Sequence, residues 1–130
     1  MVSMSEPPAP ATIPFAGAVR RCLANYVTVA GRASRSEFWW FLLFVLLVEV
    51  GMFLWWVTAN VDPVAGAVHT VVLLALVPPL LAVASRRLHD TGKPAWWLLL
   101  AVVPFGVLVL LAMMALEPTP GPNRFGPAPL

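Results

Sequence analysis

Long uncharged stretches constrain this sequence more than any other feature. Residues 64–84 and 95–116 contain no Asp, Glu, Lys or Arg, and residues 38–57 contain only Glu49. Each stretch is long enough to cross a bilayer, because a helix of about 20 residues spans the hydrocarbon core of ~30 Å. Lipid offers no hydrogen-bond partner to exposed backbone, so such stretches cross it as helices. We therefore predict an all-α membrane protein with three transmembrane helices.

The two ends of the chain differ from this middle part. Residues 1–14 are rich in proline and small residues, and residues 118–130 are rich in proline and glycine. Such segments bury little apolar surface, so we predict that both are disordered unless docked. Residues 15–117 then form one helical membrane domain. Charged residues make up 11% of the chain, against about 25% in soluble domains, which excludes a water-soluble globular fold.

A short amphipathic segment precedes the first span. Apolar residues from Phe15 to Tyr26 recur at helical spacing, while Arg20 and Arg21 fall mainly on other faces. This pattern predicts a helix that ends near Gly31. An interfacial helix of this kind turns its arginines toward anionic headgroups, whereas the alternative is a helix packed on the protein's own bundle. The pattern supports the two positions equally.

Polar residues mark the starts of the first two spans. Ser34 and Glu37 have the spacing of a capping box, in which the serine hydroxyl accepts from the amide of residue 37 and the glutamate reaches back to the serine amide. Asp62 stands where it can cap the next helix. The sequence therefore predicts helix starts near residues 35 and 63.

Prolines disturb the second and third spans. Pro78 and Pro79 lack the backbone N–H that continues a helix, so we expect a kink or break there. The carbonyl groups that these prolines leave free need a donor from a neighbouring helix or water, which predicts that this point faces protein. Pro104 and Gly106 predict a bend in the middle of the third span.

The distribution of basic residues predicts the orientation. All Lys and Arg residues except Arg124 either precede the first span or lie in the turn after the second. Cytoplasmic flanks carry the excess of Lys and Arg, so the amino terminus is expected in the cytoplasm. Three crossings would put the carboxyl tail outside. If residues 78–79 instead made the second run re-entrant, the tail would end inside.

Three short motifs resemble a known family. They are GRASRSEFW at residues 31–39, RRLHDTG at 86–92 with Trp96 and Trp97 after it, and PGPNRFGP at 120–127. In this order they resemble the domain-of-unknown-function 805 family of small bacterial inner-membrane proteins, over residues 20–129. The resemblance implies a multi-pass protein of the bacterial plasma membrane. It implies no catalytic residues, because the family has no established biochemical role.

Basic residues at the predicted cytoplasmic border are candidates for binding an anion or a lipid headgroup: Arg32, Arg35, Arg86, Arg87 and Lys93. Each is worth about 1 kcal/mol near an anionic surface. His89 and Asp90 form a candidate polar site beside them. The structural interpretation, in which the arginines bind lipid phosphates or helix-end carbonyls and His89 and Asp90 help to end the helix, is favoured over a dedicated ligand site, because topology alone explains basic residues here.

Glu49 is an acidic residue at bilayer depth, where charge is costly and functional roles are common. Its expected partner is His69, since antiparallel spans bring the two to similar depths. This pair suggests a proton relay. The favoured interpretation is a neutral Glu49 that is hydrogen-bonded within the bundle or across an oligomer.

No motif for catalysis, a metal or a cofactor is found, because the chain has a single cysteine and two histidines that fall on opposite sides of the membrane. The basic residues border the membrane, which argues against nucleic-acid binding. Our first hypothesis is therefore a non-enzymatic interaction or assembly module. Its basic cytoplasmic face would contact anionic lipid headgroups, and its protein partners would be copies of itself or other membrane proteins.

Two other hypotheses remain. The alternative is an oligomeric subunit for transport of protons or small solutes, in which Glu49 and His69 line a polar path near residues 78–79. A weaker one is a membrane-embedded enzyme that uses His89 and Asp90, with Arg86 or Arg87 holding an anionic substrate. The enzyme needs a water-accessible cleft that holds all three groups.

Overall fold

The computed structural model describes residues 12–129, and it is helical with no strand over that range. Its elements are α1 (Phe15–Ala24), α2 (Arg35–Thr58), α3 (Pro63–Asp90), a 3₁₀ helix (Ala95–Val102) and α4 (Gly106–Ala115). The predicted all-α class is confirmed. Residues 1–11, most of the segment predicted to be disordered, lie outside the described residues.

Helices α2 and α3 form an antiparallel pair joined by a short turn. The Ser34 hydroxyl accepts from the amide of Glu37 at 3.2 Å where α2 starts. The Asp62 carboxylate accepts from the amides of Val64 and Ala65 at 2.9 and 3.0 Å where α3 starts. Both predicted helix starts are confirmed. Each of these two helices is long and apolar enough to cross a membrane.

The third transmembrane helix predicted over residues 95–116 is not formed. The chain leaves the end of α3 as the 3₁₀ helix and returns as α4, so the two pieces form a hairpin. The Nε of Arg87 donates to the carbonyl oxygen of Met114 at 2.9 Å, and the amide of Thr119 donates to that of Asp90 at 2.9 Å. Both ends of the hairpin therefore lie at the same end of α3.

The chain reverses direction at Phe105 and Gly106, where the backbone of the two arms packs closely. Phe105 adopts a left-handed conformation with φ 63. A Cβ atom on Gly106 would lie 1.6 Å from the carbonyl oxygen of Leu100, so only glycine fits there. The bend predicted from Pro104 and Gly106 is thus a reversal of direction. With rises of ~2.0 and ~1.5 Å per residue, the arms reach about half of the ~30 Å core.

This reversal changes where the carboxyl tail lies relative to the α2–α3 pair. The tail, predicted to lie outside after three crossings, returns to the end of the α2–α3 pair that contains Arg35 and Asp90, which we call the basic end. The re-entrant element foreseen at residues 78–79 is not formed there, because α3 stays helical through both prolines. The hairpin is the segment that turns back.

Helix α1 packs on the bundle, which was one of the two positions that its pattern allowed. Ala18 and Cys22 are fully buried, and α1 contacts α2 and α3 but not the hairpin within residues 12–129. The helix ends at Ala24, earlier than the predicted end at Gly31. The side chain of Asn25 ends it by donating to the carbonyl oxygen four residues earlier, at 2.9 Å.

One hydrogen bond explains how α3 tolerates Pro79. Pro79 has no N–H, so the carbonyl oxygen of Ala75 loses its usual helical partner. The hydroxyl of Tyr26, just after α1, donates to that carbonyl oxygen. Pro79 is itself fully buried. The sequence predicted that this point faces protein, and the segment just after α1 supplies the donor.

The buried core lies in the half of the helix pair nearest the basic end. There Phe41 and Leu88 of α2 and α3 share one apolar cluster with Leu110 and Met114 of α4. Beyond the turn of the hairpin, α2 and α3 are the only helices that continue in the described part of the chain. The molecule is therefore broad at the basic end, where five helical segments meet, and narrow at the other.

Candidate functional site

Three segments that are far apart in the sequence meet at the basic end. They are the loop before α2, the last turns of α3 and the carboxyl tail. The amide of Ala33 donates to the carbonyl oxygen of Arg86 at 2.9 Å, and the side chain of Asn123 donates to that of His89 at 2.9 Å. The same segments carry the three motifs found in the sequence, so this end is the candidate site.

Asp90 is held between two buried arginines. The Nε of Arg32 lies 2.8 Å from one carboxylate oxygen, and Nη1 of Arg87 donates to the other. The exposed fraction of all three side chains is 1% or less. A carboxylate at the end of α3 is thus fully committed to ion pairs inside the protein.

The same arginines hold the carboxyl tail. Arg32 donates from Nη1 to the carbonyl oxygen of Gly121 at 2.5 Å and from Nη2 to that of Thr119 at 2.8 Å. Arg87 donates from Nη2 to the carbonyl oxygen of Leu116 at 2.5 Å. These bonds satisfy carbonyl groups that no helix satisfies. The tail is therefore docked on the protein, although it has no regular secondary structure.

A second buried ion pair joins α2 to α3 beneath α1. Glu37 does not complete the predicted capping box. Its Oε1 instead accepts from Nη1 of Arg86 at 2.6 Å and from the thiol of Cys22 at 3.7 Å. Burial, with the nearby Glu37 carboxylate, raises the pKa of the Cys22 thiol to about 12. The Nε and Nη2 of Arg86 are buried with no partner among the described residues.

His89 is fixed rather than free. Its Nδ1 lies 2.9 Å from the carbonyl oxygen of Gly31, so this nitrogen carries the proton and donates. Its ring stacks on Phe125 at 4.1 Å, and the guanidinium of Arg124 lies 4.7 Å from the same aromatic ring. His89 therefore ties the loop before α2 to the tail.

The five basic candidates divide into two groups. Arg32, Arg86 and Arg87 are buried in internal ion pairs, out of reach of a headgroup. Arg35 is exposed, and Lys93 is partly buried. Neither of these two side chains has a hydrogen-bond or ion-pair partner in the described part of the chain.

Arg35 lines a cleft of about 550 Å³ between the start of α2 and the tail. The hydroxyls of Ser34 and Ser36 line the same wall, and Glu117 lies in the lining on the tail side. The rest of the lining comes from Thr12, Arg32, Asp90, residues 118–121 and residues 128–129. In this cleft an arginine with no partner among the described residues faces open volume.

The intramembrane candidates Glu49 and His69 lie together. Oε2 of Glu49 is 2.9 Å from Nε2 of His69, and about a fifth of each side chain is exposed. Oε1 of Glu49 is buried with no partner within residues 12–129.

The described residues contain no group of three or more His, Cys, Asp or Glu side chains able to hold a metal ion. The enzyme hypothesis needs one cleft that holds His89, Asp90 and an arginine of the pair 86–87, but among the described residues the cleft beside Arg35 is lined by Asp90 and not by the other three. His89 is 9% exposed and Asp90 1%, and Arg87 is fully buried. Arg87 and Asp90 are bonded to each other, and Nδ1 of His89 donates to the carbonyl oxygen of Gly31.

Sequence reasoning missed three residues that build this end, namely Glu37 as an ion-pair partner, Thr119 and Asn123. It also missed Tyr26, which donates to α3 beside Pro79. Asn123 donates to His89 and also to the hydroxyl of Thr119 at 2.8 Å. The motif at residues 120–127 was the available signal for the tail. Within that motif, the polar Asn123 and the aromatic Phe125 are residue types that favour a docked segment over a disordered one, and both contact His89.

Comparison with known proteins gives a family match. The model of a family described as "Protein of unknown function (DUF805)" matches residues 26–127. Inner membrane protein YhaH of Escherichia coli K12 is 39% identical over 115 residues, covering 84% of this chain and 93% of that protein. Inner membrane protein YhaI of the same strain is 42% identical over 109 residues, covering 82% and 90%. No solved structure matches.

Proposed function

The chain belongs to the DUF805 family, and from that premise we propose a non-enzymatic interaction or assembly module of the bacterial inner membrane. In this proposal α2 and α3 cross the bilayer, and the hairpin enters and leaves at the cytoplasmic side. Two crossings replace the three predicted from the uncharged stretches. The partners are lipid headgroups and either other membrane proteins or further copies of the chain.

The positions of the basic residues support a cytoplasmic basic end. Arg124 was the one basic residue expected on the opposite side, and the docked tail brings it to the basic end with the others. The turn between α2 and α3 contains Asp62 and no Lys or Arg. An excess of Lys and Arg on short flanks favours the cytoplasmic side. Both chain termini are then cytoplasmic.

The arginine pairs at the basic end carry the proposal of an interaction module. The charges of Arg32, Arg87 and Asp90 are used to fix the loop, the helix end and the tail against one another. Buried, mutually satisfied ion pairs define a geometry without leaving an acid or base for chemistry. The result is a rigid cytoplasmic surface, which suits recognition of another molecule.

Photo-crosslinking in cells tests this proposal. A photoreactive residue is introduced at Arg124 on the tail and, as the control, at Val61 in the turn at the other end; both positions are exposed. We expect discrete protein adducts from position 124 that are absent from position 61. Replacing Asn123 by Ala, which removes its bond to the carbonyl oxygen of His89, should weaken those adducts. Identical adducts from both positions, or none from position 124, would refute the proposal.

A transport subunit is the second candidate function, because Glu49 and His69 form a pair at bilayer depth with one carboxylate oxygen unpartnered within the described residues. Proton flux into liposomes containing the purified protein tests it. A Glu49→Gln variant that lowers the flux at equal protein content supports transport. Flux equal to that of protein-free liposomes eliminates it.

A further inference from the structure

The cleft beside Arg35 holds two opposite charges that the protein itself does not use. Arg35 and Glu117 are both exposed and both line the cleft, and neither side chain has a partner among residues 12–129. Arg32 and Asp90, which also line it, are paired with each other at 2.8 Å. The cleft therefore offers one free guanidinium and one free carboxylate to a ligand.

The start of helix α2 does not by itself create this site. The hydroxyl of Ser34 is already occupied by the amide of Glu37 at 3.2 Å, and the hydroxyl of Ser36 accepts from the amide of Ile13 at 3.1 Å. These contacts fix the wall that carries Arg35. Recognition rests on the two free charges and on the volume between them.

The cleft lies at the depth of lipid headgroups. Helix α2 has 24 residues, so it is ~36 Å long, about 6 Å more than the hydrocarbon core. Arg35 is its first residue and lies beyond the core when the apolar part of α2 is centred in it. Glu117 follows α4 closely, at the level where the hairpin leaves the bilayer. A phospholipid of the same leaflet thus has its headgroup beside the cleft.

We propose that this cleft binds the headgroup of a zwitterionic phospholipid with a primary ammonium group, that is, a phosphoethanolamine headgroup. The phosphate pairs with the guanidinium of Arg35, which suits phosphate oxygens. The ammonium donates to the carboxylate of Glu117. This names the lipid partner of the proposed module and rests on its placement in the membrane.

The lining distinguishes this headgroup from two others. A quaternary ammonium, as in choline, has no N–H to donate and is held by aromatic faces, but the cleft is lined by no aromatic residue. An anionic glycerol headgroup would engage Arg35 and leave Glu117 without a cation. A primary ammonium beside a phosphate satisfies both side chains.

Native mass spectrometry of the purified full chain, extracted from nanodiscs that contain equal amounts of phosphatidylethanolamine, phosphatidylglycerol and phosphatidylcholine, tests the proposal. We expect the wild type to retain phosphatidylethanolamine preferentially. Glu117→Gln should lower its retention about tenfold and spare phosphatidylglycerol, whereas Arg35→Gln should lower both about tenfold, since each removes one charge-assisted bond. Arg20→Gln, an exposed arginine of α1, is the matched control and should change nothing.

Several outcomes overturn the proposal. Equal retention of the three lipids, or a Glu117→Gln variant with unchanged selectivity, reduces the lipid to nonspecific solvation. Soluble glycerophosphoethanolamine that binds the lipid-free protein and leaves lipid retention unchanged would identify a soluble zwitterion as the ligand. Neither variant removes a contact within the described residues, so we expect both to melt at the temperature of the wild type. Equal melting temperatures would exclude misfolding as the cause of lost lipid retention. The measurement does not depend on which side the basic end faces, so its failure leaves the crosslinking test of the module intact.

Discussion

Individual carboxylates organise the basic end because each serves more than one donor. Asp90 accepts from Arg32 and Arg87, and Glu37 accepts from Arg86 and Cys22. Because these groups are buried, removing one member of a pair leaves the other as an unpaired charge in the interior. One substitution at such a centre therefore disturbs the helix ends, the loop and the tail together.

Replacing Asp90 by Asn should lower stability strongly. Two buried guanidiniums would lose their counter-charge, and breaking a buried pair typically costs about 3–5 kcal/mol. Unfolding by added denaturing detergent, followed by tryptophan fluorescence, measures the effect. The control is Glu117→Gln at the same end, where no partner is lost among the described residues. Equal stabilities for the two variants would contradict the structural role given to Asp90.

The thiol of Cys22 should be nearly inert to alkylation in the folded protein. Its pKa is raised to about 12, so at pH 9 only about a thousandth is thiolate, the reactive form. A raised pKa means that the neutral thiol persists through the neutral range, and the rate should climb about tenfold per pH unit toward pH 12. Mass spectrometry of the alkylated chain measures this rate. A Cys22→Ser, Val27→Cys variant, whose cysteine takes a 72% exposed position, should react rapidly, and comparable rates would refute the burial.

Contacts between single residues were predictable where the positions of the two residues along antiparallel helices determine them. Glu49 and His69 could be matched from their distances to the helix ends, and they lie 2.9 Å apart. The choice of Glu37 as the partner of Arg86, and of tail carbonyl oxygens as partners of Arg32, could not be made that way. Those contacts depend on the path of an irregular loop and of the tail, which no periodicity describes.

The hydrogen bond between Tyr26, just after α1, and Ala75 of α3 can be isolated by a double-mutant cycle. Tyr26→Phe removes the donor to the Ala75 carbonyl oxygen and should cost about 1 kcal/mol, because Pro79 leaves that group without its usual helical N–H partner. Pro79→Ala gives the same carbonyl a helical N–H donor. The cost of Tyr26→Phe should therefore shrink in the Pro79→Ala background. Additive losses of unfolding free energy in the two variants would show that the tyrosine acts elsewhere.

The hairpin depends on one glycine. Gly106→Ala would push a methyl group against the Leu100 carbonyl oxygen, where the Cβ would lie 1.6 Å away, so the turn has to open. We expect a marked loss of stability in the same detergent titration. Gly51→Ala is the matched control, since its Cβ would meet nothing within 4 Å and alanine favours helix over glycine. A Gly106→Ala variant as stable as Gly51→Ala would contradict the hairpin.

Among the elements, those with local signals were predictable. Ser34 and Asp62 cap their helices as side-chain chemistry dictates, and the uncharged stretches became α2 and α3. The third stretch has the same composition, yet it turns back. It differs in the close approach of Gly106 to Leu100, which is a tertiary contact. Pro104 and Gly106 indicate where the chain can bend, but they do not indicate that this contact forms.

At the scale of the molecule, the hairpin makes the two halves of the α2–α3 pair unequal. Within residues 12–129, five helical segments occupy the half near the basic end, whereas α2 and α3 alone continue through the other. The Glu49–His69 pair lies in that narrow half, nearer the turn between the helices. In the proposed orientation the protein displaces more lipid from the cytoplasmic leaflet than from the outer one.

The side of the carboxyl terminus is the sharpest test of this architecture. Because Thr119 and Asp90 are joined through their backbones at 2.9 Å, the tail has to face the same compartment as the end of α3. Alkaline phosphatase, which folds only outside the cytoplasm, should be inactive when fused after residue 130 and active when inserted after Val61. A fluorescent protein that matures only inside should give the reverse pattern. An active phosphatase at the carboxyl terminus, with the amino terminus inside, would mean that residues 95–116 cross the membrane after all, and both the docked tail and the cleft beside Arg35 would have to be abandoned.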